Sequence, residues 1–147
     1  MTIIPFNDHT THIREFSIDE KTSGGESMRN IRNHVAALQA SGGTAIYDAL
    51  KQAYEMAGQA KAADPDRFYS IVLMSDGDNT AGLDLRGFSS FYHQVSGQLS
   101  QVRTFPVLFG DSNDREMKRL AELTGGRVFD SRRHSLVEVF KKIRGYQ

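Results

Sequence analysis

The sequence predicts a single α/β domain, residues 1–147, built on a doubly wound, mostly parallel open sheet with one antiparallel edge strand. Three observations lead there. Residues 68–74 and 102–109 are nearly continuous apolar runs, the pattern of strands covered on both faces, and such strands belong to parallel sheets flanked by helices. Segments with helical apolar periodicity alternate with these runs, which implies right-handed crossovers. The chain has 147 residues, 39% hydrophobic and 24% charged, enough for one domain with a real core.

Taken in order, residues 2–6 and 12–16 read as a hairpin around the turn residues Asn7, Asp8, His9 and Thr10. Ile13 and Phe16 are the apolar members of its second strand. Pro5 marks a strand end, because proline cannot donate a ladder hydrogen bond. Residues 22–25 form a loop. Ser27 is the expected cap of a helix whose stripe is Met28, Ile31, Val35 and Leu38; residues 40–43 end it. A second helix spans about 45–60, with Ile46, Ala49, Leu50, Ala53 and Ala57 on one face. Asp64-Pro65-Asp66 breaks the chain before the strand at 68–74, and residues 76–87 form a loop.

Phe88, Phe91, Tyr92, Val95 and Leu99 recur at helical spacing, although Gly97 weakens that helix. Pro106 inside the strand at 102–109 predicts a bulge or a missing ladder bond. Asn113 and Glu116 open a helix that buries Met117, Leu120 and Ala121 and stops at Gly125. Residues 127–129 form a short strand. Ser135 and Glu138 make a capping box for a last helix with Leu136, Val139, Phe140 and Ile143 on its apolar face.

Composition excludes several classes. Eighteen basic and eighteen acidic side chains cancel, so no broad basic field awaits nucleic acid. There is no cysteine, which removes disulfides, zinc–thiolate sites and thiol catalysis. No stretch approaches the ~20 apolar residues of a membrane span. The start, Met1 to Phe6, runs at once into polar Asn7-Asp8-His9 and is not a signal peptide. None of this fixes the compartment, and a parent protein outside the cytoplasm is compatible with it.

Two stretches carry the chemistry. Ser41-Gly42-Gly43-Thr44-Ala45-Ile46-Tyr47-Asp48-Ala49-Leu50 opens a helix, and Ser75-Asp76-Gly77-Asp78-Asn79 follows a strand. In open parallel sheets, ligands sit beyond the carboxyl ends of the strands. A hydroxyl from Thr44 and a carboxylate from Asp76 at that edge are hard oxygen donors, suited to Mg²⁺, Ca²⁺ or Mn²⁺. Each has a plain alternative: Thr44 as a helix N-cap and Asp76-Gly77 as a turn. The stretch Asp76 to Gly82 fails as an EF-hand, since Ala81 and Gly87 stand where glycine and glutamate are needed. His9 and His12 lack a third nitrogen or sulfur ligand. No phosphate-binding glycine loop or nucleophile elbow occurs.

These two stretches resemble the threonine-bearing loop and the fourth strand, with its aspartate, of von Willebrand factor type A domains. Residues 3–7 are similar to that family's second strand and residues 105–110 to its fifth. Residues 120–129 resemble its last helix-to-strand passage, so the likeness spans essentially the whole chain. The resemblance implies a Rossmann-like sheet and a non-enzymatic protein-interaction module with a metal-ion-dependent adhesion site. Thr44 would ligate the cation by its hydroxyl, Asp76 directly or through water, and a partner's acidic side chain would complete the sphere. Gly43, Gly77, Asp78, Asn79 and Asp111 would form the rim of the partner-binding edge.

The departure from the family matters as much. The Asp-x-Ser-x-Ser motif that ends the family's first strand occurs nowhere here, and the chain starts where the second strand should. The resemblance therefore implies an N-terminally incomplete domain without its central strand and with only part of the site. Mg²⁺ or Mn²⁺, and Ca²⁺ less so, would bind weakly. The missing strand leaves two unpaired edges, expected to close by pairing residues 2–6 with 68–74 or by strand exchange in a homodimer. The alternative function is a metal-dependent hydrolase or phosphoryl-transfer enzyme on a similar fold, with Asp76 and Asp78 as its carboxylates.

Overall fold

The computed structural model describes residues 1–18, 25–110 and 113–146. β1 (Thr2–Ile3) and β2 (Arg14–Glu15) pair antiparallel, Thr2 opposite Glu15 and Ile3 opposite Arg14. α1 (Gly25–Ala36) and α2 (Ile46–Ala63) follow. Then strands and helices alternate: β3 (Ser70–Ser75), α3 (Leu85–Leu99), β4 (Arg103–Leu108), α4 (Asp114–Leu123), β5 (Phe129–Asp130) and α5 (Leu136–Arg144). β3, β4 and β5 form a three-stranded parallel sheet with β4 in the middle. The predicted α/β architecture is present.

The core has two parts, one on each face of that sheet, because strand side chains alternate. The first joins Ile46, Tyr47, Leu50 and Tyr54 of α2, Phe88, Tyr92 and Leu99 of α3, and Met117 and Leu120 of α4 to Leu73 and Leu108. The second joins Phe105, Val107 and Phe129 to Val139 and Ile143 of α5, with Val72 packed against it. Tyr54 carries a polar atom into the first part and satisfies it there. Its hydroxyl donates to the Val102 carbonyl at 2.9 Å and lies 2.9 Å from Thr104 Oγ1. Burial pushes the pKa of the Tyr54 hydroxyl well above the usual tyrosine range.

Helix ends follow the sequence where a cap residue was legible. Asn113 accepts from the Glu116 amide, and Ser135 and Glu138 form the reciprocal box. Gly125 adopts φ +66° beyond α4, the left-handed conformation that ends helices. Directly after it, Gly126 passes so close to the Thr104 carbonyl that no side chain fits.

Several expectations need correction. Ser27 does not cap α1; the helix begins earlier, and the Ser27 hydroxyl instead donates to the Ser17 carbonyl. The α1 stripe is not covered: the helix has no buried residue, and Met28 and Val35 are exposed. On α5, Val139 and Ile143 are buried but Leu136 and Phe140 are not, so the covered face is narrower than its apolar stripe. β3 starts two residues after the predicted onset, leaving Phe68 78% exposed. The loop after β3 is shorter than predicted, because Asp84 caps α3 by accepting from the Gly87 amide.

Pro106 makes no bulge; the register from Ser70–Arg103 to Ser75–Leu108 is unbroken, and β5 joins only beyond it, at Val107. Residues 2–6 do not pair with β3. β1 and β2 form a sheet of their own, so the single open sheet is split where the absent central strand was expected. Most of the loop predicted at 22–25 lies outside the described residues.

Candidate functional site at the sheet edge

α2 starts without help from its own N-cap, Ala45, whose side chain makes no capping bond. The Ile46 amide instead donates to Asn79 Oδ1 at 2.8 Å, and Asn79 Nδ2 donates to the Leu83 carbonyl at 2.9 Å. Asn79, expected on the partner-binding rim, thus spends both ends of its amide holding the loop after β3 to the start of α2. Thr80 reinforces this. Its hydroxyl accepts from the Thr44 amide at 2.8 Å, and its own amide donates to the Thr44 carbonyl at 2.9 Å. Asp48, one turn into α2, accepts from the Leu83 amide at 3.0 Å.

Glycine makes this closeness feasible. A side chain at Gly43 would come to 3.1 Å of Thr80 Oγ1. Gly42, at φ +78°, leaves room for the Asp8 carboxyl 3.3 Å from where a Cβ would stand. The turn after β1 is anchored there too, as the Asn7 carbonyl accepts from the Ala45 amide at 2.5 Å. At the end of β4, Gly110 has φ +59° and passes over Asp76, whose Cβ would lie 3.0 Å from an added side chain.

Thr44 and Asp76 therefore lie at the same, carboxyl-terminal edge of the sheet. Both are spared the plain structural duties the sequence allowed them. Asn79 caps α2, so the Thr44 hydroxyl is not the cap. Ser75 makes the turn after β3: its Oγ donates to the Gly77 carbonyl at 3.2 Å and accepts from the Gly77 amide at 3.4 Å. Among the described residues, neither the Thr44 hydroxyl nor the carboxylates of Asp76 and Asp78 have a hydrogen-bond or ion-pair partner. Asp76 and Asp78 are exposed and Thr44 half-buried. Gly77 has open space around its α-carbon. Asp111 lies outside the described residues.

The donors fit a hard divalent cation in kind, but they are few. Among the described residues no three His, Cys, Asp or Glu side chains are grouped closely enough to hold a metal ion. Asp8 was missed by the sequence reading; it lies against Gly42 and its Oδ1 is 2.6 Å from His9 Nδ1. Asn79 and Thr80 were missed as clamps. An Asn-Thr pair three residues beyond a strand-end aspartate carries no local signal, since its partners are thirty-odd residues away.

A second polar cluster sits further along the same edge. Arg132 donates to Asp130 Oδ1 at 2.9 Å and to Asp114 Oδ2 at 2.9 Å, tying the end of β5 to the start of α4. The Arg132 guanidinium holds the Asp130 carboxyl below the usual carboxylate range. On the other side of α4, Glu116 accepts from the buried Tyr47 hydroxyl at 2.6 Å. Burial, with that carboxylate second, pushes Tyr47 far above the usual tyrosine range.

An α/β domain presenting free oxygen donors beyond its parallel strands is the class that fold and edge together define. The sequence profile of the von Willebrand factor type A domain matches residues 10–129. The chain belongs to that family. No curated protein matches it. One solved structure that resembles it is an uncharacterized membrane spanning protein from Vibrio fischeri, 20% identical, with a TM-score of 0.46 over 99% of this chain and 75% of that one. Here, no helix among the described residues is long and apolar enough to cross a membrane.

Proposed function

We propose that this chain is a non-enzymatic protein-interaction module whose binding edge runs from Gly43-Thr44 to Asp76, Gly77 and Asp78. Domains of this family are generally interaction modules. The finer reading is that Thr44 and Asp76 are a partial metal-ion-dependent adhesion site. A partner's acidic side chain would reach a Mg²⁺ or Mn²⁺ ion held there. The supporting observation is the division of labour at the edge: Asn79 caps α2 and Ser75 makes the turn, while the Thr44 hydroxyl and the Asp76 carboxylate stay free. Two donors alone hold it weakly, because a hard cation takes six or more oxygens.

Calorimetric titration with Mg²⁺ and Mn²⁺ tests the reading. The expected dissociation constant is about millimolar, near −4 kcal/mol. Asp76→Asn should abolish the signal and Thr44→Ala should weaken it several-fold. Micromolar affinity would contradict the partial site, and binding indifferent to Asp76→Asn would remove Asp76 from it.

A further inference from the structure

We propose that Asp76-Gly77 is a site of covalent self-modification, at which Asp76 converts to isoaspartate and the loop after β3 gains a main-chain methylene. This inference does not rest on the cation reading.

The step is a cyclisation followed by hydrolysis. The Gly77 amide nitrogen attacks Cγ of the protonated Asp76 carboxyl and forms a C–N bond. The amide proton and the carboxyl hydroxyl leave as water, and a five-membered succinimide ring results. Water then adds to one of the two ring carbonyls and breaks its bond to the Gly77 nitrogen. Opening at Cγ restores aspartate. Opening at the main-chain carbonyl leaves the chain running through Cγ, with the old main-chain carboxyl now a side-chain carboxylate on the α-carbon. Only water is consumed and released, and nothing is oxidised or reduced.

The fold leaves every participant free. The Asp76 carboxylate is exposed and has no hydrogen-bond or ion-pair partner among the described residues. β3 ends at Ser75, so the Gly77 amide lies outside the ladder. Its bond is to Ser75 Oγ at 3.4 Å, long against the roughly 2.7–3.2 Å of a good N–H···O bond. Nothing stands within 4 Å of where a Gly77 side chain would be, and glycine has none to crowd the ring.

Other aspartates lack this combination. Asp-Gly occurs once in the chain and Asn-Gly never. Asp64 precedes Pro65, which has no N–H to give up. Asp78 is as exposed as Asp76, but Asn79 follows it, and the Asn79 side chain is bonded at both ends. Asp48 and Asp130 are held by the Leu83 amide and by Arg132.

The product cannot relax at either end. Ser75 is fixed in register opposite Leu108, while Asn79 and Thr80 are bonded to Ile46 and Thr44. The extra methylene falls between these anchors, so the carboxylate moves relative to Thr44. The new α-carboxylate is of the kind that isoaspartate-directed methyltransferases esterify.

The test incubates the whole chain at physiological temperature and neutral pH for several weeks, beside a synthetic peptide of residues 72–81. Isoaspartate is placed by electron-transfer fragmentation of digests, and its total is read by methyl incorporation with a purified isoaspartyl methyltransferase. The expected result is isoaspartate at Asp76 but not Asp78, formed within about tenfold of the peptide's rate, because no local opening is needed first. Gly77→Ala, which has room for its methyl group, should slow the conversion several-fold. Conversion in the folded chain slower than this, equal conversion at Asp78, or a rate unchanged by Gly77→Ala overturns the proposal.

Discussion

β3 and β4 are neighbours of equal length with comparably apolar sequences, and they fare differently. In β4 every residue after Arg103 is buried; in β3 only Leu73 is. The difference is not hydrophobicity. β4 has a strand on each side and helices on both faces, whereas β3 pairs with one strand among the described residues. Burial depends on neighbours, and the chain provides β4 with all of them and β3 with only some. The same contrast separates α2, with five buried residues, from α1, with none, although both carry an apolar stripe.

Truncation should expose this contrast most strongly. Phe105→Ala in β4 is expected to cost about 3–5 kcal/mol, for lost transfer energy plus a cavity. Phe68→Ala at the foot of β3 should stay within about 0.5 kcal/mol, as exposed positions do. Urea unfolding of both variants measures it, and similar losses would show β3 to be as well covered as β4.

Tyr54→Phe probes the polar lining beside β4 and should cost about 1–2 kcal/mol, since it strips a partner from the Val102 carbonyl and the Thr104 hydroxyl. A neutral result in the same assay would mean that water replaces the lost hydroxyl.

The smallest effect belongs to Asp130 at the end of β5. Its folded-state pKa lies below the ordinary 3.8, so its contribution to stability is present above that pH and fades as pH falls through the lower folded value. Asp130→Asn should therefore lower stability slightly at pH 6, and the difference should shrink as pH falls below 3.8. A gap that widens on acidification would reverse the assignment.

Much of this could be read in advance. The element order, the capping box at Ser135, the Gly125 stop and the two apolar strands are local signals, set by residues within a few positions of each other. The conjunction of Gly43-Thr44 with Asp76 was legible only through likeness to a family. The roles of Asn79, Thr80 and Ser75 were not legible at all. Thr44 looked like a helix cap because threonine before a helix usually is one. Asn79 took that role from more than thirty residues away, and no local pattern records such a distance.

By itself the sequence determined which segments become helix or strand, because propensity, periodicity and end residues act within a turn or two of chain. It also placed the oxygen-bearing side chains of Thr44 and Asp76 at the ends of those segments. Only the tertiary structure decided which apolar stripes are covered, that α1 keeps no fully buried residue, and that the described strands form two sheets rather than one. Those outcomes depend on which surfaces meet, and hydrophobic burial rewards contact between elements without regard to their separation in sequence.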